Sequence, residues 1–437
     1  MNRHATTAGW LSVLSMGLGQ FYNRQYIKGL LFLLFHAIGL SFILIKLRTH
    51  LIGMITLGDQ GQHLEKVGRI YKNVEGDHSI FMLIFGVLSS LVVVVYLFVY
   101  YLNIRDAVLT GRMRNKGHEP VPFSKSMYNV ATNSFPWLLL AVPILGVVFF
   151  TIMPIIFTSL VAFTNYSSPN HIPPKNLVDW VGFQTFIDLF TLNVWSNTFF
   201  GVLTWTLIWA FLATITCYFG GILVALLINQ PGVRLKGMWR TIYIIPYAIP
   251  QFVSLLVFRN MLNEKFGPIN QYFRYFGLEG LPWLNDPFWA KVSVIVVNMW
   301  IGIPVSMVLV LGMLTTIPKD LYEAAEIDGA SPWMRFRNIT MPYILFATAP
   351  ILITQFAGNI NSFNVIFLLT GGRPVSADYN NAGATDLLVT WLYKLTLDLN
   401  NYNVAGALGI LIFLIIASLS IVSFTRTKSF KEEDMIQ

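Results

Sequence analysis

Eight long apolar stretches dominate the sequence: residues 28–47, 80–102, 136–163, 199–228, 241–262, 291–315, 345–370 and 405–425. A bilayer core about 30 Å thick is crossed by a helix of roughly 20 such residues, and in lipid each backbone N–H and C=O has to be satisfied within the segment. Runs of this length therefore leave membrane-crossing helices as the natural fold. Only 11% of the 437 residues are charged and the mean hydropathy is +0.61, whereas a soluble domain carries about 25% charged residues. The expected fold is an all-α polytopic membrane protein with about eight transmembrane helices.

The opening segment, Met1 to Tyr26, is too polar and too often interrupted by glycine to span, and it lacks the charged start and cleavage site of a signal peptide. Trp10 to Phe21 reads as a short interfacial helix ending at Gly17-Leu18-Gly19. Orientation follows from the basic residues. With the N-terminus inside, all of the net charge of +8 falls on the inner side. The loop at 103–135 (Arg105, Arg112, Arg114, Lys116, Lys125) and the loop at 229–240 (Arg234, Lys236, Arg240) decide it, because short loops beside the spans set topology. Both termini are expected in the cytoplasm. In this setting the basic excess speaks for topology, not for nucleic acid. The single cysteine, Cys217, lies in an apolar run, which excludes a disulfide framework or a cysteine-rich metal site.

The chain divides into residues 1–135, with two spans and a charged linker, and residues 136–437, with six spans and the motifs. Between the sixth and seventh spans, residues 317–342 read as two short helices. Pro318 suits a first turn, and early acidic residues favour a helix N-terminus. Leu321, Ala324, Ala325 and Asp328 share a face on which small alanines would let a partner approach closely. Gly329 is placed to end this helix in a left-handed conformation, and Ser331 to cap a second one with Pro332 at its first position. That helix offers Trp333, Phe336 and Ile339, and Pro342 is expected to close it. From pattern alone the segment is a helical hairpin on the membrane surface.

Polar residues also recur at helical spacing inside the spans. Tyr247 and Gln251 are four apart, flanked by Pro246 and Pro250, which should bend the fifth span. Asn298 and Gly302 are four apart on the sixth. Gln355, Asn359 and Ser362 follow the same spacing on the seventh, with Asn361 and Asn364 alongside. Such groups either bond helix to helix, at about 0.6 kcal/mol each, or line a pathway. Three helices each presenting a neutral stripe favour the pathway. The mid-span regions hold no Asp, Glu, Lys or Arg, so the cargo is expected to be an uncharged polyol; an amino acid or phosphate would call for a fixed charge. The outer aromatics Tyr166, Trp180, Trp283, Trp289, Trp391 and Tyr393 read as an interfacial belt.

Glu323-Ala324-Ala325, Asp328-Gly329, Phe336, Ile339 and Pro342 together resemble the EAA loop of binding-protein-dependent ABC importer permeases. The resemblance implies that Glu323, Ala324, Ala325, Asp328 and Gly329 form the coupling helix that meets a separate ATPase. The chain has no Walker-type Gly-Lys-Ser/Thr loop of its own. The eight-span layout, with Tyr243–Gln251, Asn298–Pro304 and Asn359–Pro374, is similar to the F-type subunit of maltose and maltodextrin permeases. This likeness implies a six-helix type I importer core preceded by two extra helices. It also implies a sugar site at Tyr247, Gln251, Asn298, Ile301, Gly302, Val305, Gln355, Asn359 and Ser362. The match departs at Val305, where relatives can offer tyrosine, and at Gln251, Gln355 and Ser362. The segment between the third and fourth spans, a large external domain in enteric relatives, is only about 35 residues here.

The partners implied are a second homologous permease, two copies of a cytoplasmic ATPase, a periplasmic or lipid-anchored sugar-binding protein and membrane lipid. ATP and Mg belong to the ATPase, with no cofactor, catalytic residue or metal in this chain. The cargo implied is maltose or maltodextrin; another oligosaccharide, such as a galacto-oligosaccharide, stays open. An ion-coupled secondary transporter would need buried ionisable couplers and inverted repeats. A membrane enzyme would need a catalytic constellation, but His4, His36, His50, His63, His78, His118 and His171 are scattered. His36, alone inside a span, reads as a helix-packing residue.

Overall fold

A computed structural model of the chain describes residues 3–67, 69–230 and 232–426. The acidic and basic tail at 427–437, which the expectation of a cytoplasmic C-terminus includes, lies outside the described residues. Seven helices among those described are long and apolar enough to cross a membrane: Tyr26–Thr56, Ser79–Asn115, Phe135–Val161, Asn193–Asn229, Pro287–Leu314, Pro332–Ile360 and Tyr402–Thr425. The fifth span in chain order is instead a pair, Lys236–Ala248 and Gln251–Met261, bent by 86°. Pro246 lies inside the first of these and Pro250 precedes the second. A proline supplies no N–H and crowds the preceding turn, so the helix breaks between them. A two-stranded antiparallel hairpin, His63–Val67 with Ile70–Val74, is the only sheet among the described residues.

Two expected boundaries move. The seventh span was placed at 345–370, but its helix runs from Pro332 to Ile360 and a separate short helix, Phe363–Leu369, follows. The first half of that helix carries Arg335, Arg337 and Asn338, so an apolar reading starts too late. At the other end Asn361 leaves helical geometry, where amide and hydroxyl side chains compete with the backbone. Pro342 does not close a helix. It follows a π turn, Phe336–Thr340, in which Met341 N–H bonds to Phe336 O. The extra residue in that turn relieves the clash between a proline ring and the carbonyl four residues back. The third span repeats the device, with a π turn at Val148–Ile152 just ahead of Pro154.

The chain packs as two compact units, Met1–Gly182 and Phe183–Gln437. The packing boundary falls after the third span, which makes its contacts with the second, whereas the division at 135/136 is one of motif content. In the first unit the N-terminal segment does not lie alone at an interface. It forms a helix from Arg3 to Leu14 and, after an interruption, another from Leu18 to Tyr22, and both pack against the second span. Ala5, Ala8 and Ser12 face inward. Asn103 Nδ2 donates to Gln20 Oε1 and Gln20 Nε2 to the main-chain O of Asn103, both at 3.0 Å, and Asn23 Nδ2 donates to Ala107 O at 2.8 Å. His36 Nδ1 lies 2.8 Å from the Tyr96 hydroxyl, a helix-packing contact.

The fourth span is the spine of the second unit and packs against the sixth and seventh. Its close crossing with the sixth depends on missing side chains. A Cβ on Gly221 would collide with Ser306 Cβ and Met307 N, and one on Gly302 with Cys217 Sγ. Small residues at a helix crossing allow the backbones to approach and the flanking side chains to interlock. Trp205, Trp209, Leu255, Val294 and Ile366 form one core cluster. Trp391, read from sequence as part of an interfacial belt, is fully buried instead. It packs beside Trp195 and donates from Nε1 to Asn380 O at 3.0 Å. Its indole thus gains a carbonyl partner at the end of the chain's last long loop, so it does not face lipid headgroups.

Candidate functional site

The break in the fifth span faces a cavity of about 620 Å³ in the second unit, within the roughly 300–1,000 Å³ of small-molecule pockets. Residues 246–251, the turn between the two half-helices, form one wall. Asn298, Ile301, Gly302, Val305 and Ser306 come from the sixth span, and Gln355, Gly358 and Asn359 from the seventh. Ala213, Thr214 and Cys217 of the fourth span complete the lining. No residue of this lining is an Asp, Glu, Lys, Arg or His. Helix ends that open into a cavity are tolerated at membrane depth, and such interrupted helices recur where transporters bind cargo.

Eight of the nine sequence-selected residues come together here: Tyr247, Gln251, Asn298, Ile301, Gly302, Val305, Gln355 and Asn359. Ser362 does not. It precedes the short helix Phe363–Leu369, beyond the point where the seventh span ends, and the helical spacing from Asn359 no longer applies. The lining grades from Tyr247, 65% exposed, through Asn298, 8% exposed, to Ala213 and Ser306, which are fully buried. Asn359 Nδ2 donates to Thr214 Oγ1 at 2.9 Å, and Trp209 Nε1 donates to Asn359 O at 3.1 Å. Asn298 Nδ2 donates to Cys217 Sγ at 3.4 Å. Ser306 Oγ is buried with no partner among the described residues.

The contribution of the fourth span was missed from sequence. Thr214 and Cys217 are three apart, the spacing of one helix face. They stand in a largely apolar run with Thr216 between them, where a threonine usually bonds to its own helix, as Thr214 does to Ala210 O. Only the partner helices reveal that the same oxygen also meets Asn359.

The 317–342 segment forms a second candidate site, at the other end of the sixth and seventh spans. Its first helix is Lys319–Ile327, with Pro318 just ahead of the first turn and not within it. Gly329 follows with φ +76°, the left-handed region. Gly329 N–H bonds to Glu326 O and Ala330 N–H to Ala325 O, the paired closing bonds of a Schellman C-cap. Ser331 Oγ accepts from Met334 N–H, so the next helix starts with a capped end and with Pro332 at its first position. Two side-chain links fold the hairpin: Arg335 to Glu326 at 3.3 Å and Tyr322 Oη to Thr340 Oγ1 at 2.8 Å. Glu323, Ala324, Asp328 and Gly329 are exposed and Ala325 is half-buried. Ile327 and Trp333 stand 86% and 65% exposed beside them. Large apolar side chains ringed by carboxylates and left open suit a protein contact better than open water.

Residues 218–427, which include the 317–342 segment and every cavity-lining residue except those of the fourth span, match the family described as binding-protein-dependent transport system inner membrane component. The chain is 40% identical to the galactooligosaccharides transport system permease protein GanP of Bacillus subtilis (strain 168), over 99% of this chain and 100% of that one. It is 39% identical to the maltodextrin transport system permease protein MdxF of the same organism, over the full length of both. A crystal structure of a bacterial alginate ABC transporter, in complex with its alginate pentasaccharide-bound periplasmic protein, contains a chain of the same fold. The TM-score is 0.57 at 23% identity, over 69% of this chain and 98% of that one.

Proposed function

The chain belongs to the binding-protein-dependent transport system inner membrane components, multi-pass proteins of the cell inner membrane that are not themselves catalytic, and from that membership we propose that it is one half of the channel of an ATP-driven oligosaccharide importer. A second homologous permease completes the channel, two copies of a cytoplasmic ATPase bind the ATP and Mg, and an external sugar-binding protein delivers the cargo. Both termini and the 317–342 loop lie in the cytoplasm, a reading supported by the basic loops at 103–135 and 229–240. The importer core begins with the third span at residue 136, and residues 1–135 are an addition to it.

The observation that carries the cargo class is the uncharged, amide-lined cavity at the break of the fifth span. Neutral donors and acceptors beside a tyrosine ring suit sugar hydroxyls and give no fixed charge to hold an ionic cargo. Tyr247, Gln251, Asn298, Ile301, Gly302, Val305, Gln355 and Asn359 contact the sugar in transit, with Ser362 at the edge of the path. Glu323, Ala324, Ala325, Asp328 and Gly329 meet the ATPase. Closure of the two ATPases on ATP then swings the spans through that joint. The pattern of motif residues supports maltodextrin as the cargo, and the 40% identity to a galactooligosaccharide permease supports that sugar as a second reading.

Uptake of labelled maltotriose and of a galacto-oligosaccharide by the assembled system, with its own binding protein, tests both levels. Asn359→Leu, which removes the amide but keeps the bulk, should abolish uptake, and Tyr247→Ala should lower it severalfold, in complexes that assemble in normal amount. Undiminished uptake in both variants would remove this cavity from the sugar's path.

A further inference from the structure

Two amides of the cavity are gripped by one face of the fourth span. Thr214 has a single hydroxyl proton, and that proton is committed to Ala210 O at 2.7 Å. The lone pair that Thr214 Oγ1 turns to Asn359 can only accept, so the amide must face it with Nδ2, at 2.9 Å. The choice of amide orientation is thereby made by the hydroxyl. Trp209 Nε1 holds the Asn359 main chain at 3.1 Å, so the residue is fixed at both ends. One turn away, Asn298 is turned the same way. Its Nδ2 donates to Cys217 Sγ at 3.4 Å, while the Cys217 thiol is directed at Asn298 O at 3.7 Å. In both residues one amide N–H is held by the fourth span, which fixes how the amide is turned; the carbonyl oxygen Oδ1 and the second N–H are not bonded to that span.

We propose that Thr214, seconded by Cys217, is a positioning residue that orients the amides of the cargo site: by accepting one N–H of Asn359, as Cys217 does for Asn298, it fixes where each amide's accepting oxygen and remaining N–H stand to meet the sugar hydroxyls. The proposal rests on the reading of this cavity as the sugar path. Gln251 shows the contrast, since its amide oxygen meets only the exposed Asn364 Nδ2 at 3.5 Å, a long contact that leaves its orientation to the cargo.

The test uses the complete transporter in proteoliposomes, with its binding protein, and radiolabelled maltotriose and galactotriose as probes. Thr214→Val keeps the shape and removes the hydroxyl; Thr214→Ser keeps the hydroxyl. Loss of one ordinary hydrogen bond should lower the maximal uptake rate of the transported probe about fivefold to tenfold in Thr214→Val, with Thr214→Ser within about twofold of wild type. Because Thr214 acts through Asn359, adding Thr214→Val to Asn359→Ala should cost nothing further. Wild-type uptake in Thr214→Val overturns the proposal. So does a Thr214→Ser variant as poor as Thr214→Val, which would mean packing, or losses that multiply in the double variant. If Asn359→Ala itself transports both probes normally, the sugar-path reading falls and takes the proposal with it. If Asn359→Ala is impaired while Thr214→Val is silent, the proposal alone falls.

Discussion

Gly329 offers the sharpest test of the docking loop, because two effects of a substitution separate there. Its φ of +76° is a conformation that a β-carbon disfavours, by roughly 1–2 kcal/mol for most residues. A Cβ placed on it would meet no heavy atom within 4 Å. Within this chain the penalty of Gly329→Ala is therefore backbone strain alone, with no steric share. An equilibrium shifted by about 1–2 kcal/mol changes about fivefold to thirtyfold, so the Schellman cap and the Ser331 start behind it should open that much more often. Asparagine visits the left-handed region more readily than alanine, and valine, branched at Cβ, is the least tolerant of it. The expected order of damage is thus Asn, then Ala, then Val. The readout is ATP hydrolysis stimulated by the loaded binding protein, with the ATPase retained on purification as a second measure. Damage that instead follows side-chain volume, with Ala milder than Asn, would refute backbone strain as the cause. It would point to a partner surface pressed directly against Gly329.

Two further outcomes follow from the same geometry. Asp386 is 1% exposed and accepts from Gly383 N–H, Thr390 Oγ1 and Lys394 Nζ; Asp386→Ala strands the lysine and should destabilise by about 3–5 kcal/mol, read as a clear fall in the melting temperature of the detergent-solubilised chain, and an unchanged melt would count against the network. Lys116→Cys and Ser331→Cys should react with an impermeant thiol reagent only after permeabilisation, and Asn381→Cys in intact cells, with native Cys217 buried and silent; labelling at position 331 from outside would invert the topology.

The spans were legible because lipid leaves a chain few options, and the eight apolar runs fall on seven membrane-length helices and one bent pair. Their ends were not. The seventh span starts in a segment bearing Arg335 and Arg337, where hydropathy is weak and the capping signal of Ser331-Pro332 is the better guide. That signal was read correctly as a helix start, then wrongly cut off at Pro342, because sequence periodicity carries no trace of a π turn. The two prolines announced a bend in the fifth span, but a bend of 86° that faces a cavity needs the neighbouring helices to define it. Stripes at four-residue spacing located three walls of that cavity. The fourth wall stayed hidden because Thr214 and Cys217 are uncharged and sit in a run whose threonines ordinarily bond their own helix, and Ser362 falls outside the cavity lining because the helical spacing was extended past a helix end.

The corrected register of the seventh span changes how the two sites relate. Pro332 at the docking loop and Asn359 at the cavity belong to one helix, about 40 Å apart along it at 1.5 Å per residue. The sixth span reaches the same loop from the other side, ending at Leu314 just before the Lys319–Ile327 helix, and it carries Asn298. The loop therefore joins the two helices that supply the cavity's held amides, and the Tyr322–Thr340 and Arg335–Glu326 links tie its first helix to the beginning of the seventh span. The fourth span grips both amides but does not enter the loop. The hydrogen bonds at 2.9 and 3.4 Å thus join the two helices that meet at the loop to a helix that does not. On the proposed reading of the loop as the ATPase contact and of the cavity as the sugar path, a movement at the loop reaches the cargo through the two helices that carry the amides, with no need for the ATPase to approach the sugar.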